Sequence, residues 1–127
     1  MHFQVAPFEQ GKLVRVVSGS ALDVATDIRK NSSTYLKSYS VTLSGTNNLM
    51  LWIPPGFAHG FLSLENDTVL LYKCTASYNK EAEKGIRWND PDFNINWGIS
   101  NPVLSEKDRQ LPLFKEYEAS LAETKMT

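Results

Sequence analysis

The run Ile53-Pro-Pro-Gly-Phe-Ala-His-Gly-Phe-Leu62 limits the folding of this chain more than any other stretch. Proline presets φ for a turn, and glycine supplies the positive φ that ends it. A rigid turn of this kind between two apolar runs, Leu49–Ile53 and Gly60–Leu64, reads as a tight connection between sheet strands. It also sets His59 near a strand start, on backbone with little positional slack. An isolated histidine among apolar residues is more often packed in a core than aimed at a ligand. The turn by itself does not choose between the two.

The rest of the chain up to about Ala76 repeats the pattern of short strand-like runs and turns. Lys12–Val17 is β-rich and stops at Ser18-Gly19-Ser20, which reads as a hairpin-like connection. Leu22, Val24, Thr26 and Ile28 alternate with Asp23, Ala25 and Asp27, so one face is apolar and the other carries two carboxylates. Tyr35–Leu43 and Val69–Ala76 complete the set, with Ser44–Asn48 and Glu65–Asp67 as turns. Short strands at such regular spacing predict an all-β sandwich or barrel. Asn79–Asn101 reads as loop, with Trp88 and Trp97 covering one end. Ser105 is placed to cap a helix, and Phe114, Tyr117 and Leu121 mark one face of a short C-terminal helical segment whose ends, Met126 and Thr127, should fray.

At 127 residues the chain is read as a single domain over residues 1–127, enough to bury roughly two thirds of its unfolded surface. A net charge of −1 offers no basic field for nucleic acid, and an anionic ligand would need a local group of cations. Cys74 is the single cysteine, which excludes an intrachain disulfide and fits a reducing compartment. No run approaches the ~18 apolar residues of a membrane span, and no basic-then-apolar leader is visible, so a cytoplasmic protein is expected.

Taken in order, Lys12–Val17, Leu22–Arg29, the Ile53–Leu62 run, Leu71-Tyr-Lys73, Gly85-Ile-Arg-Trp-Asn-Asp-Pro91 and Leu104-Ser-Glu-Lys-Asp108 resemble the dTDP-4-dehydrorhamnose 3,5-epimerase family. The resemblance runs from about His2 to Phe114. It implies a cupin-type jelly roll acting on a nucleotide sugar of the dTDP-4-keto-6-deoxyhexose class, with proton transfer at the carbons beside the sugar ketone. Such chemistry needs a base on one face, charge to stabilise the enolate oxygen, and an acid on the other face.

The resemblance supplies a candidate for each role. His2 matches the family base, and an ordinary imidazole suits proton abstraction near neutral pH; read from its position alone, residue 2 would be a disordered end. Asp108 matches the carboxylate that fixes that histidine's tautomer, and it equally suits a first-turn helix acid. Lys12 matches the lysine near the keto oxygen, although a solvated lysine is the usual outcome. Tyr72 matches the proton donor on the opposite sugar face; it alternates with Leu71, so one of the two points inward. For substrate binding the candidates are His59 beside the sugar, Tyr78 stacked near the base, Asp23 facing inward with Lys12 or a histidine as partner, and Arg109 at a phosphate. Asp27, near the strand end, is expected at the solvated rim.

Pro54-x-Gly56-x-x-His59 also resembles half of the cupin metal signature. A metal wants three or four ligands, and two histidines with no His-x-His-plus-Glu motif are too few, so no metal and no cofactor is expected. Family members carry a further N-terminal segment ending in Arg-Gly-Leu before the matching histidine, whereas Met1 stands here where the leucine would be. A lost arginine implies weaker phosphate binding, and missing strands imply open sheet edges. A homodimer is expected. The activity expected is the family's epimerisation; the alternatives are another nucleotide-ketosugar isomerase, or an inactive truncated sugar-nucleotide-binding or structural remnant.

Overall fold

The computed structural model describes the backbone of residues 1–126 and the side chains of residues 1–123. Among the described residues there are eight strands in two antiparallel sheets and two helices. The strands are β1 (His2–Gln4), β2 (Lys12–Ser18), β3 (Ser20–Asp27), β4 (Ser38–Ser44), β5 (Met50–Ile53), β6 (Phe57–Ser63), β7 (Val69–Cys74) and β8 (Glu83–Gly85). The helices are α1 (Glu106–Arg109) and α2 (Phe114–Met126). One sheet has the order β4-β3-β6-β1-β8, the other β5-β2-β7. The expected all-β sandwich with a short helical C-terminus is the observed architecture. The expected fraying falls on Met126, the last residue of α2, whose side chain is not described, and on Thr127, which lies outside the described residues.

The chain changes sheet at every connection except β3–β4. Ser18-Gly19-Ser20 is therefore not a hairpin: β2 pairs with β5 and β7, while β3 pairs with β4 and β6. Gly19 turns the chain across the gap with φ +81, and a Cβ there would sit 2.5 Å from Thr68 Oγ1. The Pro54-Pro55-Gly56 turn makes the same crossing, with Gly56 at φ +92. Beyond it β6 begins at Phe57, earlier than Gly60, because Phe57–His59 pair with Asp27–Ala25.

β3 departs from the expected one-sided pattern, since both of its faces are buried. Ala21 and Ala25 join Val14, Val16, Leu43 and Ile53 in the core between the sheets. Val24 faces the other way, into a second core with Met1, Phe3, Ala58, Ile86, Phe93 and Phe114. The C-terminal third thus covers the outer side of the larger sheet. Asp90 organises that cover: its buried carboxylate accepts from the backbone N–H groups of Asp92, Phe93 and Phe114, the last at 2.7 Å. Phe114 and Tyr117 are edge-on or tilted against Phe93 and Phe3, but Leu121 lies 40% exposed, so the packed face of α2 stops short of it.

Asp27 is a second correction. It is fully buried, not solvated. The Arg29 guanidinium reaches both of its oxygens, and Arg29 N–H, Ser32 Oγ and Thr34 Oγ1 donate to it as well. Those bonds wind residues 29–37 into turns, with Leu36 at φ +62, so β4 starts at Ser38 and not Tyr35. The arginine, chiefly, and the two hydroxyls hold the Asp27 carboxyl well below the usual carboxylate range. No helix among the described residues is long and apolar enough to cross a membrane.

Candidate active site

Strand alternation decides what faces the space between the sheets. In β1, Phe3 points into the outer core, so His2 points the opposite way. His2 and His59 are direct cross-strand partners, which puts their side chains side by side on the same face. Across the gap, Lys12 and Val14 of β2 lie opposite Cys74 and Tyr72 of β7. Val14 is fully buried, so this parity faces inward, and Leu71 is left on the outer side at 51% exposure. His2, Lys12, His59, Tyr72 and Asp108 together line one cavity of about 560 Å³, with Trp88 and Trp97 also in its wall. The indole N–H of Trp97 donates to the Trp88 carbonyl at 2.8 Å, fixing one ring against the other segment.

Each histidine has its own carboxylate. His2 Nε2 lies 2.6 Å from Asp108 Oδ1, and His59 Nε2 lies 2.7 Å from Asp23 Oδ1. Asp108 is delivered by α1, a single turn capped by Ser105, whose Oγ accepts the Asp108 N–H at 3.1 Å. The aspartate thus serves as first-turn acid and histidine partner at once. The two pairs differ in setting: Asp23 is fully buried, whereas the Asp108 side chain keeps 36% of its surface exposed. Asp23 does not wall the cavity. It backs His59 from behind, and its Oδ2 is buried without a hydrogen-bond partner among the described residues.

The Lys12 ammonium makes no hydrogen bond or ion pair among the described residues. Burial lowers its ammonium pKa, a shift opposed by the neighbouring charges of Cys74, Asp23 and Glu83. It is also the one lysine or arginine among the described residues lining the cavity. Tyr72 and Tyr78 both reach the wall while remaining more than half exposed. Arg109 does not reach it; its guanidinium lies 3.8 Å from Glu106 on the exposed side of α1. Among the described residues, no group of three His, Cys, Asp or Glu side chains converges as a metal site would require.

Sequence reasoning missed Glu83. One of its oxygens, Oε1, sits 2.8 Å from Lys107 Nζ and 3.4 Å from His2 Nδ1, while Oε2 accepts the Tyr78 hydroxyl. Partial burial pushes its carboxyl up, but the bonds from Lys107 and Tyr78 and the nearby cations outweigh this and leave it lowered. In return the carboxylate raises both the Tyr78 phenol and the Lys107 ammonium. Nothing in Lys80-Glu-Ala-Glu-Lys84 separates Glu83 from Glu81, because a charged run ordinarily reads as a solvated face. Its inward aim comes from the pairing of Glu83 with Gln4, a three-residue register.

A model of the dTDP-4-dehydrorhamnose 3,5-epimerase family matches residues 1–116. The dTDP-4-dehydrorhamnose 3,5-epimerase of Sinorhizobium fredii is 48% identical over 127 residues, covering 99% of this chain and 65% of the relative. The protein of the same name from Shigella flexneri is 50% identical over 108 residues, 85% of this chain and 60% of the relative. This chain therefore spans somewhat less than two thirds of their length. Among solved structures, the Mycobacterium tuberculosis epimerase superposes with a TM-score of 0.89 at 37% identity, over 94% of this chain and 62% of that one. The Legionella pneumophila 3,5-epimerase, solved with dTDP-4-keto-L-rhamnose, superposes with a TM-score of 0.87 at 42% identity, over 94% and 64%. Fold, family match and identity agree: the jelly roll is of the cupin-type epimerase kind, and the chain belongs to the dTDP-4-dehydrorhamnose 3,5-epimerase family.

Proposed function

We propose that this chain catalyses proton transfer at C3 and C5 of a nucleotide 4-keto-6-deoxyhexose. The observation that carries the reading is the His2–Asp108 pair at 2.6 Å, opening onto the same cavity as Lys12 and Tyr72. With Nε2 engaged by Asp108, His2 uses Nδ1 to accept the proton from the carbon beside the ketone. The Lys12 ammonium supplies charge at the enolate oxygen, in a site where burial strengthens that interaction. Tyr72 returns a proton to the other face. His2 belongs to the larger sheet and Tyr72 to the smaller one, so a sugar between them loses its proton on one side and regains it on the other. Configuration inverts for that reason.

His59, held by Asp23, takes part in sugar binding, and Tyr78 offers its exposed ring to the nucleotide base. Among the described residues Lys12 is the one lysine or arginine in the cavity wall, a thin supply of cations for a diphosphate, and weak substrate binding is expected. The same reading takes the protein as a cytoplasmic homodimer working without metal or cofactor; the single cysteine and the resemblance support it. The test is to incubate the protein with dTDP-4-keto-6-deoxyglucose and follow the sugar ring couplings by NMR. Inverted C3 or C5 couplings are expected. Unchanged substrate, with dTDP still bound, would point instead to a binding protein without turnover.

A further inference from the structure

His2 has a carboxylate at each ring nitrogen, and only one of them is accounted for by the dyad. Glu83 Oε1 stands 3.4 Å from Nδ1, beyond a hydrogen bond but well inside the range where an opposite charge favours a protonated ring. We propose that Glu83 is a positioning residue for His2, the group that receives the Nδ1–H once His2 has taken a proton from substrate. The inference deepens the proposed function and rests on it for the role of His2. Before the transfer, the 3.4 Å gap leaves the Nδ1 lone pair available. Afterwards, the Nδ1–H can close on Oε1, so the imidazolium is held between Glu83 and Asp108 and screened from recombining with the enolate on the same face.

Lys107 sets the strength of this hold. Its ammonium is paired to the same oxygen at 2.8 Å, which offsets part of the negative charge that His2 sees. Tyr78 occupies the other oxygen and keeps the carboxyl plane fixed. The arrangement follows from register. His2 pairs with Gly85 and Gln4 with Glu83, so β8 carries the carboxylate alongside β1 on the face where His2 points. Other charged or titratable groups facing this corner are Asp108 and Lys107 from α1, His59 from β6, Lys12 from β2, Cys74 and Tyr72 from β7, and the Met1 amino group, which donates to the Ile86 carbonyl.

The test is an NMR titration of both imidazoles in the intact protein, which does not require turnover. Glu83→Gln keeps the shape and an acceptor for Tyr78, and should move the His2 midpoint to lower pH while leaving His59 in place. Lys107→Ala, at an exposed helix position, should move the His2 midpoint to higher pH. A His2 midpoint that is the same in Glu83→Gln as in the parent would overturn the inference, even if the parent epimerises its substrate. Variants that move the His2 midpoint in the expected directions, in a protein that never epimerises, would overturn the proposed function and leave the Glu83–His2 coupling standing.

Discussion

At the residue scale, the site rests on pairs whose members come from distant parts of the chain. His2 and Asp108 are 106 positions apart, yet a cap at Ser105 and a strand parity at Phe3 bring them to 2.6 Å. Tyr72 is the residue whose removal best separates proton abstraction from inversion. Tyr72→Phe should cut formation of the inverted sugar by about 10²-fold or more, as expected for loss of a positioned acid, while solvent deuterium still enters through His2. Following product and deuterium in the same NMR sample checks this, and parent-like inversion would remove Tyr72 from the role. Asp27 gives a prediction independent of the site. Its carboxyl is held low by Arg29, so the stability it contributes is complete above about pH 4 and is lost as pH falls through the folded-state value. Asp27→Asn should therefore be less stable than the parent at neutral pH and show a shallower loss on acidification. Urea midpoints measured from pH 7 to pH 3 should show the gap between the two curves constant down to about pH 4 and narrowing below it. A gap that stays constant throughout would remove Asp27 from this role.

At the element scale, what the sequence made legible is what periodicity can carry. β2, β5 and β7 fall close to their expected places, because Val-, Ile- and Leu-rich runs bounded by turn residues are a local signal. β1 and β8 carry no such signal: His-Phe-Gln and Glu-Lys-Gly are strands only because each finds a partner far along the chain. The same limit explains the hairpin that turned out to be a crossing at Gly19, since a turn residue announces a turn but not which sheet the next strand joins. It explains Asp27 and Glu83 too, whose burial or inward aim depends on segments that sequence alone leaves unplaced. His59 and Asp23 were readable as an inward histidine and an inward carboxylate; their pairing follows from the neighbouring register of β3 and β6. The link from loop 86–105 to α2 passes through Asp90, which serves three backbone N–H groups. Asp90→Ala should destabilise the fold by about 1–3 kcal/mol, the cost of leaving buried donors unpaired. A urea midpoint equal to that of the parent would mean those groups find other partners.

At the scale of the whole molecule, two sheets hold a cavity whose opposite walls carry different chemistry. The larger sheet presents two histidines, each backed by an aspartate, and the smaller one presents a lysine and a tyrosine. The family resemblance named these residues from the sequence. The wall to which each belongs, and hence the face of a bound sugar each would meet, comes from the alternation of strands between sheets. The proposed role of His2 as the base is decided by deuterium entry at C3 and C5 of dTDP-4-keto-6-deoxyglucose in D₂O, at high protein concentration. Exchange is expected in the parent, with a fall of ~10² to 10⁴ in His2→Ala. Exchange that persists undiminished in His2→Ala would contradict it.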